Sequence, residues 1–415
     1  MSLSQLSGQA LEARINALAK LSENPDNLTR IYLTNTHAQA IALVGRWMRE
    51  AGMTTRVDGT GSLRGFYPCA DPQAKTLVLG SHIDTVRDAG KYDGSLGILT
   101  AIAVLDSLNR QNIKLPFALQ VAAFGDEEGV RFPSTLAGSR ALAGRFSVAS
   151  LDETDADGVT RRAALQNFGA DPSAISKETL DPDQTLGYIE VHIEQGPVLE
   201  AKGAPLGIVT AINGASRGYI HIQGMTGHAG TLPMSMRRDA LCTAAEIALG
   251  IETIAQSEPD LVATIGQIEV PGGAINVVPG AVKLSIDLRA PLDAQRHRAV
   301  QKIEAAIAEI TARRGTKAVL DLSYDALAAP CDAALMQRFA KALHERRALP
   351  VHHLPSGAGH DAMAFRGRIP IAMLFVRSKD GISHNPAEYS SPQDIGLAAQ
   401  ILYDFIILTA EGMNP

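Results

Sequence analysis

Three of the eleven histidines stand at or just beyond the ends of apolar runs that have the composition of β-strands. His82 ends TLVLGSH, His192 ends GYIEVH, and His384 follows IPIAMLFVRSKDGIS. A single histidine is more often a surface residue or a hydrogen-bonded core residue than a metal ligand. Strand ends of one α/β sheet converge at a common edge, however, and such edges carry ligand sites. The sequence therefore predicts that these three imidazoles lie close together.

Carboxylates stand in comparable places. Asp93 follows His82 in SHIDTVRDAGKYDGSLG, between a strand-like and a helix-like run, and the acidic residues 126–128 (DEE) follow FALQVAAFG. Desolvated, unpaired carboxylates are unfavourable, so a cluster of them requires cations, and Arg131 is the only basic residue beside this run. A solvated acidic loop is the alternative interpretation. The position at a strand end favours a metal site instead.

Imidazole nitrogens and carboxylate oxygens together favour zinc, manganese or cobalt over calcium. Two such ions bridged by a carboxylate would share and activate one water. The candidate ligands of such a pair are His82, Asp93, Glu127, Glu128, His192 and His384. Asp84 follows His82 by two residues, and we expect its carboxylate to accept the second N–H of that imidazole and so to fix the ligand tautomer.

Further polar residues lie among glycines or at a strand end. His228 stands in GMTGHAG and Asn276 in PGGAINVVPG, where glycines permit backbone conformations that ligand loops often need. Arg289 ends the run AVKLSIDLRA, and its planar guanidinium would suit a substrate carboxylate if it faces a cleft. The turn at 356–359 could offer backbone N–H groups to an oxygen. The alternative is that His228 is an ordinary loop residue and Arg289 a solvated charge.

The elements that must position these residues alternate along the chain up to about residue 210. Helix-like stretches such as HAQAIALVGRWMREAG and ILTAIAVLDSLNRQ alternate with strand-like runs, which predicts an α/β sheet covered by helices. The first 20 residues have the apolar spacing of an amphipathic helix and lack the unbroken apolar core of a signal peptide. The polar stretch from Ser150 to Asp183 is expected to be a surface excursion.

The segment from Arg217 to Ala328 has a different order of elements. Its runs follow the order β-α-β-β-α-β, with GYIHIQG, LVATIGQIEV, AVKLSIDLRA and AVLDLSYDAL as the strands. This order is typical of the ferredoxin-like arrangement. The α/β pattern then resumes with ALMQRFAKALHER and IPIAMLFV. We therefore predict a catalytic domain in two parts, 1–212 and 329–415, interrupted by a smaller inserted domain at 213–328.

The composition of the chain argues against several functional classes. Of the 415 residues, 46% are hydrophobic and 20% charged, and the net charge of -6 argues against nucleic-acid and membrane-surface partners. No apolar run reaches the roughly 18 residues of a membrane span. The scattered cysteines, Cys69, Cys242 and Cys331, indicate neither a disulfide framework nor a thiolate metal site, so a cytoplasmic setting is expected. Phosphate-loop, nucleophile-elbow and dinucleotide motifs are absent.

The motifs around the candidate residues resemble, in order and along nearly the whole chain, those of the M20-type dinuclear amidohydrolases. This group comprises allantoate amidohydrolases, ureidoglycolate hydrolases and N-carbamoyl-L-amino acid hydrolases. The segments that carry the resemblance are GSHIDTV, GKYDGSLGI, DEEGVRF, EVHIEQGPVLE, GHAG, NVVPG, DLRAP, SGAGHDAM and GISHNPAE. The resemblance implies an α/β fold, in which a mixed-sheet metallohydrolase catalytic domain carries an inserted ferredoxin-like α+β (βαββαβ) dimerisation domain.

Carried over position by position, the resemblance also implies two divalent metal ions per subunit, with Mn²⁺ favoured and Zn²⁺ or Co²⁺ as alternatives. Glu127 would be the general base, and Asp84 would belong to the same catalytic centre. His228 would bind the developing oxyanion across the interface of a homodimer. The implied ligands are His82, Asp93 and His192 for one ion and Asp93, Glu128 and His384 for the other, with Asp93 bridging. The implied substrate contacts are Gln195, Arg217, Asn276, Arg289, Gly357 and Ala358.

Within this group, the segments DAGKYDGSLGI, RFPSTLAGSRALAG and MLFVR are most similar to the allantoate amidohydrolase branch. The implied reaction converts allantoate to ureidoglycine, ammonia and carbon dioxide. The alternatives are an N-carbamoyl-L-amino acid, β-ureidopropionate or ureidoglycolate amidohydrolase, because Ala215 stands where that branch has a glutamine. A peptidase or deacylase of the wider class and a metal-binding regulatory protein without catalysis are further alternatives, and the intact Glu127 argues against the last of these.

Overall fold

The computed structural model of the protein describes residues 6–69, 71 and 73–413. Its contacts divide the chain into two compact units. The first comprises the chain up to Thr210, Cys331–Leu354 and the chain from His360 onwards, and the second comprises Ala211–Pro330 and Pro355–Gly359. Within the described ranges, no helix is long and apolar enough to cross a lipid bilayer.

The strands and helices are numbered in chain order. The strands are β1 Thr54–Val57, β2 Leu63–Tyr67, β3 Thr76–His82, β4 Ala118–Phe124, β5 Thr185–Ile193, β6 Leu206–Ile212, β7 Gly214–Gln223, β8 Gly227–His228, β9 Val262–Thr264, β10 Ile268–Glu269, β11 Val277–Val278, β12 Ala281–Ala290, β13 Lys317–Ala326, β14 Ala329–Pro330, β15 His353–Ser356 and β16 Ile371–Val376. The helices are α1 Gly8–Ala19, α2 Asn35–Glu50, α3 Ser95–Arg110, α4 Ala137–Leu142, α5 Arg161–Phe168, α6 Val198–Ala201, α7 Ala240–Gln256, α8 Asp293–Arg314, α9 Ala333–Arg347 and α10 Pro392–Glu411. The first five residues of the predicted N-terminal helix lie outside the described residues.

The first unit is built on a mixed sheet with the strand order β1-β2-β4-β3-β5-β16-β6. The central strands β4, β3, β5 and β16 are parallel to one another. The outer pairs β1 with β2, β2 with β4, and β16 with β6 are antiparallel. Because the four central strands run in the same direction, their carboxyl ends lie at one edge of the sheet, as the alternating sequence pattern predicts.

Helix α3 lies in the centre of the first unit. Every residue from Ser95 to Leu108 is buried, which agrees with a sequence that is apolar around the whole helix. The helix approaches the sheet closely at Gly97, where a Cβ would overlap the carbonyl oxygen of Val191 in β5. This close approach brings the start of α3, and Asp93 just before it, to the end of β5.

The second unit contains an antiparallel sheet with the strand order β10-β12-β7-β13, and β9 also pairs with β12. Every second residue of β12 is buried, and those residues share a core with α7 and α8. The predicted strand LVATIGQIEV is divided into β9 and β10. The hydroxyl of Ser285 accepts hydrogen bonds from the backbone N–H groups of Gly266 and Gln267, which interrupts the backbone ladder between the two short strands.

The stretch from Ser150 to Asp183, expected to be a surface excursion, is largely exposed or partly exposed, but it also contributes to a buried core. This stretch forms α5 and short 3-10 turns, and it contributes Leu151, Leu165 and Ile175 to a buried cluster with Tyr32 and Phe132. Its polar composition concealed this role because the segment is fixed partly by charge. The side chain of Arg161, in the first turn of α5, is 1% exposed and pairs with Asp126 and Glu153.

Candidate metal centre

The structure brings the proposed metal ligands of the first unit together at the carboxyl edge of its sheet. His82 ends β3, His192 lies near the end of β5, and His384 follows β16. Glu128 follows β4, and Asp93 lies just before α3. Gly94 has φ 61°, and a Cβ there would overlap the ring of His82, so glycine is required for Asp93 to approach that imidazole.

Asp93 lies between the three imidazoles. Its Oδ1 is 3.5 Å from Nε2 of His82 and 3.1 Å from Nε2 of His192. Its Oδ2 is 3.2 Å from Nε2 of His384, which is also 3.7 Å from Oε2 of Glu128. Each oxygen of one carboxylate therefore faces a different set of ligand atoms, which is the geometry of a bridging ligand.

The backbone fixes the tautomers of His82 and His192. Nδ1 of His82 lies 2.9 Å from the carbonyl oxygen of Asp84, and Nδ1 of His192 lies 2.9 Å from that of Ile193. A carbonyl oxygen only accepts hydrogen bonds, so each Nδ1 carries the proton. Nε2 of each ring is then left with a lone pair, as a metal ligand requires.

These residues fit a pair of divalent cations. His82, Asp93 and His192 form one group whose ligand atoms all lie within 4.8 Å of one another, and Asp93, Glu128 and His384 form a second. The buried atoms Asp93 Oδ1, Glu128 Oε1 and His192 Nε2 make no hydrogen bond within the described part of the chain. Buried polar atoms without partners are rare, and these three atoms have the chemistry and the positions of metal ligands.

The charges of the cluster also require cations. Burial raises the pKa of the Glu127 carboxyl well above its usual value, and burial and the neighbouring Asp93 carboxylate raise the pKa of Glu128 to about 7. Contact with Asp93 raises the pKa of His384 to about 9. Positive charge placed among these groups would permit the carboxylates to ionise together.

The prediction that the carboxylate of Asp84 accepts the second N–H of His82 is wrong. The imidazole of His82 donates to the backbone carbonyl of Asp84, not to its side chain. The two carboxylate oxygens instead accept the backbone N–H groups of Glu127 and Glu128, each at 3.2 Å. Asp84 thus fixes the backbone that carries the proposed base and one proposed ligand.

A second buried contact that the sequence did not predict supports the same turn. Asp126, which precedes Glu127, has φ 69° and forms a buried ion pair with Arg161. Arg131, the basic residue nearest in the sequence, pairs with Asp155 at 3.0 Å instead. The arginine that pairs with Asp126, the first residue of the acidic run, lies 35 residues away along the chain.

Gln195, predicted to contact substrate, contacts the proposed bridging ligand in this structure. Its backbone has φ 58°, and its Nε2 donates to Oδ2 of Asp93 at 3.1 Å and to the hydroxyl of Ser383 at 3.0 Å. Its backbone N–H donates to the hydroxyl of Ser378 at 3.1 Å. The side chain is thereby held against the proposed bridging carboxylate.

The remaining predicted residues belong to the second unit, where Asp287 organises two of them. Nε and Nη2 of Arg289 bind the two oxygens of Asp287 at 2.9 and 2.8 Å, and Arg217 binds the same carboxylate at 3.0 Å. Nη1 of Arg289 donates to the carbonyl oxygen of Gly357 at 2.6 Å. Partial burial opposes ionisation of Asp287, but the two guanidinium groups hold its pKa below its usual value. The bidentate face of Arg289 is therefore occupied by Asp287.

The other predicted residues of the second unit lie in its loops. His228 is exposed on β8, its backbone pairs with Val277, and its Nδ1 accepts from the backbone N–H of Gly230 at 3.0 Å. Asn276 is exposed, and its carbonyl accepts from Ala229 at 2.9 Å. The N–H of Ala358 donates to the hydroxyl of Ser356 at 3.2 Å.

Comparisons with known proteins identify the family of the chain. Residues 78–408 match Peptidase family M20/M25/M40. The chain is 38% identical to an allantoate deiminase of Arabidopsis thaliana, over 95% of this chain and 81% of the relative, and 36% identical to an N-carbamoyl-L-amino acid amidohydrolase of Geobacillus stearothermophilus, over 98% and 100%. A hydantoinase/carbamoylase family amidase from Burkholderia multivorans superposes with a TM-score of 0.91 at 32% identity, covering 97% of this chain and 98% of that one. The chain therefore belongs to peptidase family M20/M25/M40, and it is an amidohydrolase that acts on C–N bonds.

Proposed function

We propose that the chain hydrolyses a ureido C–N bond in a small substrate that carries a carboxylate, most specifically allantoate, to give ureidoglycine, ammonia and carbon dioxide. The observation that carries this proposal is the pair of ligand groups that share Asp93. When bound there, two divalent ions would lower the pKa of a water and polarise the ureido carbonyl, with Mn²⁺ as our first choice and Zn²⁺ or Co²⁺ as alternatives.

We assign the role of general base to Glu127. Its backbone N–H is held by Asp84, and its carboxylate belongs to a group with His82 and Glu128 whose ligand atoms lie within 4.8 Å. Glu127 would accept the proton of the attacking water and pass it to the leaving nitrogen, so that water adds across the C–N bond.

We assign substrate recognition to the second unit. Arg289, with Asn276 and Arg217, would bind the substrate carboxylate, and His228 would donate a hydrogen bond to the carbonyl oxygen as negative charge develops there. The backbone of Gly357 and Ala358 would complete this site. The contact between Arg289 and the carbonyl of Gly357 supports the grouping of these residues.

We further propose that the second unit is a ferredoxin-like dimerisation domain, which supplies His228 to a second copy of the chain. Several of its large apolar side chains are more than half exposed, namely Leu249, Val262, Ile268 and Val319. The three strand residues among them belong to one sheet, and a second copy that packs on this sheet would cover them.

A second candidate substrate is an N-carbamoyl-L-amino acid. Ala215 lies opposite Arg289 in the strand register and on the same face as Arg217 and Asp287. Allantoate has two ureido groups, and an alanine at this position has no side-chain amide with which to bind the second one. A substrate with a single ureido group does not need that contact.

A substrate panel tests the proposal. Metal-stripped protein is loaded with Mn²⁺, Co²⁺ or Zn²⁺, and ammonia release is measured from allantoate, ureidoglycolate, N-carbamoyl-β-alanine and several N-carbamoyl-L-amino acids. We expect metal-dependent release, fastest with allantoate. Faster release from N-carbamoyl-L-amino acids would favour the second candidate, and no release from any of these substrates would contradict the proposal.

A further inference from the structure

Glu388 lies four residues after His384, in the segment that follows β16. The residue is 4% exposed. Its Oε1 accepts the backbone N–H groups of Tyr92 and Asp93 at 3.0 and 3.1 Å, and its Oε2 accepts the hydroxyl of Ser383 at 3.0 Å. Both oxygens of this buried carboxylate therefore bind the chain segments that carry two of the proposed ligands.

The loop before Asp93 is shaped around this carboxyl group. A Cβ at Gly90 would overlap Cδ and Oε1 of Glu388, so only a glycine permits the loop to approach so closely. The N–H groups of Tyr92 and Asp93, two and three residues after Gly90, then point at Oε1. Sequence position alone could not indicate this contact, because the partners are separated by 295 and 296 residues.

A second route connects Glu388 to the carboxylate of Asp93. The hydroxyl of Ser383 donates a hydrogen bond to Oε2 of Glu388, and it accepts a hydrogen bond from Nε2 of Gln195 at 3.0 Å. The same Nε2 donates to Oδ2 of Asp93. Glu388 thus binds the backbone N–H of Asp93 directly, and it reaches the carboxylate of Asp93 indirectly through Ser383 and Gln195.

Folding alone does not account for a carboxylate at this position. The two backbone N–H groups need an acceptor, but a buried carboxylate close to another one is unfavourable, and a neutral acceptor would satisfy them without that cost. Asp93, in contrast, must present Oδ1 and Oδ2 to different imidazoles, so a small rotation of its carboxylate would disturb both ligand groups. The Glu388 carboxylate beside Asp93 would prevent that rotation, because it binds the backbone N–H of Asp93.

We propose that Glu388 is a positioning residue of the metal centre, which fixes the bridging carboxylate of Asp93 relative to His384. This inference rests on the proposed two-ion centre. Glu388 acts through Asp93, Ser383 and Gln195 and is not itself a ligand. Outer hydrogen-bond partners of this kind typically change metal affinity by about tenfold to a hundredfold when they are removed.

The test compares Glu388→Ala with Glu388→Gln in metal-stripped, full-length protein. Binding of Mn²⁺ is measured by titration against a competing chelator, so that no substrate is needed. Glu388→Ala leaves two buried N–H groups without an acceptor, and we expect the affinity for both ions to fall by about tenfold to a hundredfold. Glu388→Gln retains an oxygen at the position of Oε1 and should bind both ions nearly as the wild type does.

Glu178→Ala is the matched control. Glu178 is also a buried glutamate of the first unit, and its partners are Arg56 and the backbone N–H of Gly59. This variant should lose thermal stability but keep its affinity for Mn²⁺. Wild-type affinity in Glu388→Ala, or an equal loss in the control, would overturn the proposal.

Two further measurements cover the case in which Glu388→Ala does not fold. Ser383→Ala removes only the route from Glu388 through Ser383 and Gln195 to the Asp93 carboxylate, and it should weaken Mn²⁺ binding measurably but less than tenfold. Unchanged affinity in this variant would contradict the proposal. In the metal-free wild type and in metal-free Glu388→Gln, the backbone amides of Tyr92 and Asp93 should be protected from hydrogen exchange. Fast exchange of these amides in both proteins would also overturn the proposal. A wild type that binds two ions but turns over no ureido substrate would contradict the proposed function and leave this inference standing.

Discussion

The side-chain amide of Gln195 donates a hydrogen bond of 3.1 Å to Oδ2 of Asp93. The other oxygen of that carboxylate, Oδ1, faces His82 and His192, and Oδ2 also faces His384. The amide therefore restricts rotation of the one side chain that both ligand groups share. Because of this sharing, a change at Asp93 should affect both ions at once.

Asp93→Ala tests the shared ligand. We expect both ions to be lost together, since each ligand group falls to two members without the bridging carboxylate. Metal content after dialysis, measured by mass spectrometry, should fall from two ions per chain to fewer than one. Asp106→Ala is the control, because Asp106 is a buried aspartate of α3 that pairs with Arg110. Retention of one ion at full occupancy would contradict a bridging role.

Glu127→Gln separates chemistry from metal binding. Glu127 is proposed as the base and not as a ligand of either ion, so this variant should keep both ions. Its turnover should fall by about two to four orders of magnitude, the usual contribution of general acid–base catalysis. Metal content and the initial rate of ammonia release are measured on the same sample. A variant that turns over near the wild-type rate would remove Glu127 from the mechanism.

The proposed ligands could be predicted from the sequence because each follows an apolar run or a motif that is local in the chain. His82, His192 and the DEE run stand at the ends of parallel strands, and the direction of the strands brings them together. The contacts that support them could not be predicted in the same way. Arg161 reaches Asp126 from 35 residues away, and Glu388 reaches Asp93 from 295 residues away.

The contact of Asp84 was predicted incorrectly although its partner, His82, is close in the sequence. Its spacing from His82 correctly indicated contact with the imidazole, but a two-residue separation does not decide whether a side chain or a carbonyl makes that contact. The chain turns after β3, so the carbonyl faces the ring and the carboxylate faces the turn at 127–128. The division of LVATIGQIEV into two strands likewise depends on a hydroxyl of another strand, Ser285.

His37 should make the stability of the protein depend on pH. It is fully buried, its Nδ1 accepts the N–H of Leu33 at 3.0 Å, and its Nε2 makes no hydrogen bond within the described residues. Burial, and to a lesser extent Arg30, lowers the pKa of His37 from 6.5 to about 3. Below pH 6.5 the unfolded chain binds a proton that the folded chain rejects, so stability present above that pH is lost as the pH falls towards 3.

The expected loss is about 1.4 kcal/mol per pH unit below 6.5, or about 2 kcal/mol at pH 5. His37→Asn keeps an acceptor for Leu33 but cannot take up the proton, so its free energy of unfolding should fall less steeply between pH 7 and 5. Urea unfolding with excess chelator measures both proteins at each pH, with His344→Asn, on the exposed side of α9, as the control. Parallel curves for wild type and His37→Asn would show that His37 does not carry this dependence.

Arg289→Lys tests recognition of the substrate carboxylate. Nε and Nη2 of Arg289 bind Asp287 and Nη1 binds Gly357, so a substrate carboxylate would use the remaining N–H groups of the guanidinium. Lysine keeps the positive charge but has a single nitrogen, so it cannot bind Asp287 and a second carboxylate with the same geometry. A hydrogen bond to a charged group contributes about 1.5 to 3 kcal/mol, so KM for a carboxylate-bearing substrate should rise roughly tenfold to a hundredfold. The metal content should not change, because the ligands belong to the first unit.

An uncharged ureido analogue distinguishes this role from a structural one. Arg289 also donates to the carbonyl of Gly357, so its loss could disturb the turn at 355–359 without any effect on a carboxylate. In that case kcat/KM would fall equally for allantoate and for the analogue. Recognition of the carboxylate instead requires a large loss with allantoate and almost none with the analogue. Arg313→Lys, at an arginine of the second unit that pairs with Glu246, should leave kcat/KM unchanged for both substrates.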